Sequence, residues 1–408
     1  MMMTLFNNPR FRYLSLYLCG LLFLAGCAGQ PYTSNGDSEA SVLTRKITQE
    51  QEGIRVSTAV PDAGETAELF GLSLYEKGVQ PVWIEVENNS ANLLRLSIWS
   101  IDSDYYSPLE VAWMNRKGYS SEGQAAMERS LYDAAIERRI PPGEKRSGFV
   151  FTHLKPGTKG FNVDLISGQM RSYTFTFFVP MPGFIADYMA VDFKHLYDDD
   201  EIVELDLDTL RPALEQAEFY ASDMTGTLQG LPLNIAVVGT PLALRRALLR
   251  ANWQETELGS SFVAGARKQH YAGRPPDGTF IKTRADGTER KVLSLWLTPM
   301  RVGQEPVWLG QTVTAVGVSD KADDIFLVSP DIDTPYIYLM QNFWYSQSLK
   351  QIAFIRAGAV VSPAAQVEAY GGWRYHTNGM RGVLWVSEDP VGLNEVRNLN
   401  WEQMPRDQ

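Results

Sequence analysis

The chain has 408 residues, of which 44% are hydrophobic and 11% aromatic, and this composition excludes a disordered protein. The formal net charge of −11 repels phosphate backbones, so the charge balance argues against a nucleic-acid partner. A chain of this length is expected to form two or three ordinary domains.

Residues 1–26 have the pattern of an export signal. Met1–Arg12 contains two arginines and no acid, and Tyr13–Ala25 is an almost continuous apolar run. Such a run is too short to span a bilayer and is typical of a signal peptide. The segment ends on Leu24-Ala25-Gly26-Cys27, which resembles the lipobox of bacterial lipoproteins. We therefore predict cleavage before Cys27 and lipidation of its thiol, with the membrane as a partner through that lipid.

The residue after the cysteine indicates the location. The lipoprotein resemblance associates Asp at this position with retention in the inner membrane, and here the residue is Ala28. The expected location is therefore the periplasmic face of the outer membrane. An ordinary signal peptide with an incidental cysteine is the alternative. Cys19 lies inside the signal, so Cys27 has no disulfide partner and the core alone must hold the mature fold.

The first predicted domain follows a tether. Residues 27–52 are polar and predict a flexible tether. Period-two alternation then begins, as in Val82–Val86, and predicts half-buried antiparallel strands. About seven such strands over residues 53–183, with a helical insert around Ala125–Ile136, indicate an immunoglobulin-like β-sandwich. A closed barrel is the competing arrangement. Residues 184–230 predict an acidic connector whose most acidic run, Asp198–Glu201, is interpreted as solvated.

Residues 231–362 predict a second domain of α+β class. A buried strand at Leu233–Val238 turns at Gly239 into a helix, for which Thr240 is a good N-cap and Pro241 a good first residue. Helices on either side of a run of neighbouring strands favour an α+β fold over a doubly wound sheet. Residues 363–408 predict a C-terminal tail with a hairpin that turns at Asn378-Gly379.

The second domain also carries a family resemblance. The segments that carry it are Leu231–Thr240, Ala251-Asn252-Trp253, Leu295-Trp296, Pro306–Gly310 and Pro330–Asp333. In this order they resemble the LssY-like C-terminal domain family over roughly residues 230–362. The resemblance implies an envelope-associated protein without a settled activity. Relatives often carry a histidine and an arginine where this chain has Val292 and Ser294, so any chemistry at those positions is expected to be lost.

The residues capable of catalysis are few. The four histidines, His153, His195, His270 and His376, do not stand at metal-ligand spacing, and the chain has no HExxH, G-x-S-x-G, P-loop or G-x-G-x-x-G motif. We therefore expect no cofactor and no metal site. Asp331 and Asp333 are the best carboxylate pair. As an acid/base pair they would support catalysis, whereas as capping residues they would serve the helix that follows.

Two aromatic groups remain. An aromatic-rich helix at Pro335–Lys350 is interpreted as core. Tyr370, Trp373, Tyr375 and His376 lie in a glycine-rich segment and are the candidate surface-binding residues.

Two functions stay open. The sequence favours a non-enzymatic binding or scaffolding module of the cell envelope, with an envelope protein or a glycan as partner. The alternative is a periplasmic hydrolase of phosphoesters or glycans that uses Asp331, Asp333 and a histidine.

Overall fold

The computed structural model describes residues 29–34, 39–155, 157–260, 268–284, 287–316 and 327–403. The predicted signal peptide and Cys27 lie outside these residues. The chain divides into two compact units. The first comprises Met1–Lys155 and Asn162–Val179, and the second comprises Pro156–Phe161 and Pro180–Gln408.

The first unit contains two four-stranded sheets. Its strands are β1 Ile47–Gln51, β2 Ile54–Ala59, β3 Val79–Asn88, β4 Leu94–Ser97, β5 Arg139–Ile140, β6 Lys145–His153, β7 Lys159–Ser167 and β8 Ser172–Val179. One sheet has the order β1-β2-β3-β6 with antiparallel pairing throughout, and the other has the order β5-β4-β7-β8. Its helices are α1 Glu39–Leu43, α2 Ala63–Phe70, α3 Pro108–Asn115 and α4 Ser121–Ala134. α3 and α4 lie between β4 and β5, where the sequence predicts a helical insert.

The second half of the predicted tether is part of this fold. β1 pairs residue by residue with β2, and its side chains make polar cross-strand contacts. The hydroxyls of Thr48 and Ser57 lie 2.8 Å apart, and Arg55 forms a 3.0 Å ion pair with Glu50. A strand with such polar contacts has the composition of a linker, which is why composition alone suggested a tether here.

The second unit is built on a ten-stranded mixed sheet. The strands of this unit are β9 Val203–Leu205, β10 Tyr220–Ser222, β11 Gln229–Pro232, β12 Ile235–Val238, β13 Gln254–Glu255, β14 Gly278–Thr283, β15 Glu289–Val302, β16 Glu305–Val316, β17 Leu327–Val328, β18 Leu349–Arg356, β19 Val367–Ala369, β20 Trp373–Tyr375, β21 Met380–Val386 and β22 Arg397–Asn398. The large sheet has the order β13-β14-β15-β16-β12-β21-β18-β22, with β9 added to β15 and β17 to β16. The helices are α5 Leu207–Gln216, α6 Pro241–Arg250 and α7 Asp333–Tyr345. The α+β class is confirmed.

The large sheet has an apolar core on each face. Along β12, Ile235 and Val237 belong to one buried cluster, while Ala236 and Val238 belong to another. Successive residues of a strand point to opposite faces, so the two clusters lie on opposite sides. α6 and α7 contribute to the first cluster and α5 to the second.

Two expectations for this half of the chain are corrected by the structure. Residues 184–230 are not only a connector, because they supply β9 to the large sheet and α5 to its core. Leu210 and Leu214, one helical turn apart on α5, are fully buried. Their spacing was not interpreted as a core helix because the acidic run Asp198–Glu201 dominates the composition of this segment. The prediction of a C-terminal hairpin is also wrong. β20 pairs with β19, whereas β21 lies inside the large sheet, parallel to β12 and antiparallel to β18. A turn motif reports only its own local geometry, so Asn378-Gly379 could not show which strands its flanks would join.

Candidate functional site

Asp331 and Asp333 lie where the chain enters α7. Asp331 Oδ1 accepts the backbone N–H groups of Asp333 at 2.9 Å and Thr334 at 3.1 Å, and its Oδ2 accepts the Thr334 hydroxyl at 2.6 Å. Asp333 Oδ1 accepts the Thr377 hydroxyl at 2.8 Å, and its Oδ2 accepts the Asn378 N–H at 2.7 Å. All four carboxylate oxygens therefore accept hydrogen bonds, either from the start of α7 or from Thr377 and Asn378.

The two carboxyl groups differ in acidity. Burial acts to raise the pKa of Asp331, but the hydrogen bonds from Thr334 and Asp333 outweigh it and hold that pKa below its usual value. Burial raises the pKa of Asp333, and the neighbouring charge of Asp331 adds to the effect. Acid/base catalysis uses pairs of carboxyl groups whose pKa values are shifted in opposite directions. This feature therefore supports the alternative function, a hydrolase.

Of the candidate surface-binding residues, His376 lies beside Asp331, and its backbone N–H donates to the Pro330 carbonyl at 2.8 Å. Tyr375 is buried in an apolar cluster, against which Trp373 packs. The prediction of Tyr375 as a surface residue is therefore wrong, because this side chain is buried in the same cluster as Leu231 and Ile332. Tyr370 and His376 are half-buried.

A cavity of about 350 Å³ lies in the second unit, on the face of the large sheet that carries α6. Phe280, Leu295 and Trp308, from three neighbouring strands, form part of its lining. Tyr188 lies 6.4 Å from the Phe280 ring, and Phe193 lies 5.9 Å from Trp308, each distance measured between ring centroids. The first turns of α6 supply the remaining wall, including Leu242 at the solvent edge. This cavity was missed by the sequence analysis because Tyr188 and Phe193 fall in the segment interpreted as a connector.

The start of α6 follows its local sequence signal. The Thr240 hydroxyl oxygen accepts the Ala243 N–H at 3.0 Å, and Pro241 is the first helical residue, as predicted. Gly239 precedes this cap with φ +157°, and its carbonyl accepts the Trp308 indole N–H at 3.2 Å. The cap thus positions both the helix and one aromatic ring of the cavity.

The charged groups at the cavity are paired within the molecule. Glu255 Oε1 accepts both the Tyr188 hydroxyl at 2.9 Å and Arg245 Nε at 2.7 Å. Asp277 accepts Arg274 Nη1 at 2.6 Å, and burial raises the pKa of this carboxyl. The wall is therefore apolar with neutralised charges at its edge, which suits an uncharged apolar group.

A second cavity, of about 450 Å³, lies in the first unit beside the insert. Its lining includes Tyr105, Tyr106 and Tyr132 together with Glu137 and Arg138. Aromatic rings and charged side chains thus share this lining, unlike the apolar cavity of the second unit.

Among the described residues, no three His, Cys, Asp or Glu side chains come together as a metal ion would require. No described helix is long and apolar enough to cross a membrane.

No curated protein matched this chain in the comparison with known proteins. The family described as LssY C-terminus matches residues 214–380, from the last turn of α5 to the first residue of β21. The match begins inside the segment predicted as a connector and extends beyond both ends of the resemblance seen in the sequence. This chain therefore carries an LssY-like C-terminal domain.

Proposed function

We propose that this protein is an exported lipoprotein that acts as a non-enzymatic binding module of the cell envelope. Cleavage before Cys27 and lipidation of its thiol anchor it to the periplasmic face of the outer membrane. The support for this anchor is the order of the N-terminal features: a positive end, an apolar run, small residues and then cysteine.

The apolar cavity of the second unit carries the binding part of the proposal. A volume of about 350 Å³ falls within the range of small-ligand sites, and its walls are aromatic and aliphatic. Because Arg245 and Arg274 are engaged with Glu255 and Asp277, the cavity edge offers no unneutralised charge from these four groups. The ligand is therefore a small apolar group presented by an envelope partner.

The second candidate, a periplasmic hydrolase, is supported by the opposite pKa shifts of Asp331 and Asp333. It is the weaker candidate because both carboxylates already have a structural role. Here each carboxylate oxygen accepts a hydrogen bond from the chain itself.

Blocking the cavity tests the binding proposal. Leu242 is partly exposed at the cavity edge, so Leu242→Trp fills the opening without disturbing the core. We expect the mature, unacylated chain to bind the uncharged dye N-phenyl-1-naphthylamine with enhanced fluorescence, and the variant to lose most of that enhancement. Leu228→Trp, at an exposed leucine away from the cavity lining, is the matched control and should retain it. Equal dye binding by both variants would remove the cavity from the proposal.

A further inference from the structure

The first described residues of the mature chain are attached to the helical insert of the first unit. The Gln30 N–H donates to the Gly118 carbonyl at 2.7 Å, and the Ser120 N–H donates to the Gln30 carbonyl at 3.0 Å. The Tyr32 hydroxyl donates to the Phe70 carbonyl at 2.8 Å. Gln30 therefore lies along the loop that joins α3 to α4, and Tyr32 reaches the end of α2.

Two glycines make this attachment close. A Cβ on Gly29 would lie 2.5 Å from the backbone of Tyr119 and Ser120, which is closer than real contacts allow. A Cβ on Gly123, in the first turn of α4, would lie 2.9 Å from the Gln30 carbonyl oxygen. The two backbones approach each other through positions that carry no side chain, so this segment is seated on the insert.

This seat limits the distance between the insert and the lipid. Cys27 is two residues before Gly29, and two extended residues span at most about 7 Å. A diacylglyceryl group on Cys27 would therefore enter the bilayer close to the loop between α3 and α4. A flexible 26-residue tether would have left the domain free to move away from the membrane.

The neighbouring helix carries an exposed apolar stripe. Leu109 is 59% exposed and Trp113 is 64% exposed, and their i, i+4 spacing places them on one face of α3. The Arg116 guanidinium carbon lies 2.9 Å from the centroid of the Trp113 ring, and Lys117 follows in the turn after the helix. The opposite side of α3 is in the core, through the buried Val111 and Ala112.

We propose that the exposed face of α3 lies on the bilayer that holds the Cys27 lipid. Leu109 and Trp113 enter the boundary between headgroups and acyl chains, where tryptophan is favoured. Arg116 and Lys117 meet the lipid phosphates at the end of the helix. The inference rests on the proposed lipidation of Cys27 and adds to it a fixed orientation of the first unit on the membrane.

The chain allows a clean labelling experiment. Cys19 leaves with the signal and Cys27 is acylated, so an introduced cysteine is the only free thiol of the lipoprotein. Leu109→Cys on α3 is compared with Met170→Cys, an exposed methionine in the turn between β7 and β8 of the same unit. β4 leads into the insert from its Ser97 end, whereas this turn lies beyond its Leu94 end. Each full-length lipoprotein is labelled with a nitrobenzoxadiazole dye and reconstituted into phosphatidylethanolamine–phosphatidylglycerol vesicles with brominated acyl chains. We expect the dye at position 109 to lose most of its fluorescence by quenching, and the dye at position 170 to keep it.

A third variant tests the contact between residues 29–30 and the loop that joins α3 to α4. Gly29→Val in the Leu109→Cys background forces residues 29–30 off the loop, so quenching at position 109 should fall toward the value at position 170. Intact mass separates the two levels of the proposal. A mature mass without acyl chains would overturn the lipoprotein function together with this orientation. An acylated protein with equal quenching at both positions, or with no quenching at position 109, would overturn the orientation alone.

Discussion

At the residue scale, the position of a carboxylate within its turn decides what it can do. Asp331 accepts two backbone N–H groups at the entrance to α7, where the partial positive charge of the helix also stabilises an anion. The sequence suggested that the pair of Asp331 and Asp333 caps this helix but could not divide the contacts between them. The structure gives the amide contacts to Asp331, while Asp333 reaches across to Thr377 and Asn378. The hydrogen bond from the Asn378 N–H to Asp333 joins residues that are 45 positions apart, which no local sequence pattern could show.

Asp331→Ala separates capping from catalysis. We expect it to lower the free energy of unfolding by about 0.5–2 kcal/mol, the cost of a lost cap, and to shift the melting midpoint by a few degrees. Asp199→Ala, in the exposed acidic run, is the control and should melt like the parent. The measurement pairs a thermal melt with a screen against phosphoester and glycoside substrates. If the variant melts like the parent but loses a hydrolytic activity that the parent has, the hydrolase hypothesis would be supported instead.

Asp187 is a buried carboxyl whose Oδ1 has no hydrogen-bond partner among the described residues. Burial raises its pKa to about 6, above the value of about 3.9 expected in the unfolded chain. Between these values the folded state binds more protons than the unfolded state. The free energy of unfolding therefore falls as the pH rises from about 4 to about 6.

Asp187→Asn should remove this dependence. Because the parent carries a buried charge at pH 7 and the variant does not, we expect the variant to be more stable there by on the order of 1–3 kcal/mol. At pH 4 the two proteins should differ little. Urea unfolding at pH 4, 5 and 7 measures the difference, with Asp199→Asn as the exposed control. Parallel pH profiles for parent and variant would contradict the expectation.

At the element scale, one arginine joins three parts of the second unit. Arg381, on β21, is fully buried, and burial lowers its pKa to about 10. Its guanidinium donates to the carbonyls of Leu214 at 2.8 Å, Glu218 at 2.5 Å and Leu233 at 2.8 Å. It thus holds the last turn of α5, the segment after that helix and the link between β11 and β12 against the sheet.

Arg381→Met should be severely destabilising. Three carbonyl groups would lose their donor inside the core, and we expect a loss on the order of 3–5 kcal/mol in the free energy of unfolding. Arg356→Met is the matched control, because Arg356 is exposed at the end of β18 and makes one long contact of 3.4 Å to a backbone carbonyl. Chemical denaturation followed by tryptophan fluorescence measures both. A small effect at position 381 would show that water or a shifted backbone serves these carbonyls.

At the scale of the whole molecule, the sequence predicted what local signals encode. The α+β class, the helical insert and the turn from β12 into α6 follow from alternation, capping residues and proline placement. The sheet order and the cavity could not be predicted in this way. They depend on pairs that are distant in sequence, such as β12 with β21, or Phe193 with Trp308.

The position of β21 has a consequence for the order of folding. β12 ends at Val238, and its parallel neighbour begins only at Met380, so about 140 residues must be made before these two strands can meet. β18 also needs β21 to reach the rest of the sheet. While the chain emerges N-terminus first, the first unit can close before this partner exists. Until then β12 can pair with β16 but keeps its other edge open, and in that interval the second unit is most exposed to aggregation and most dependent on chaperones.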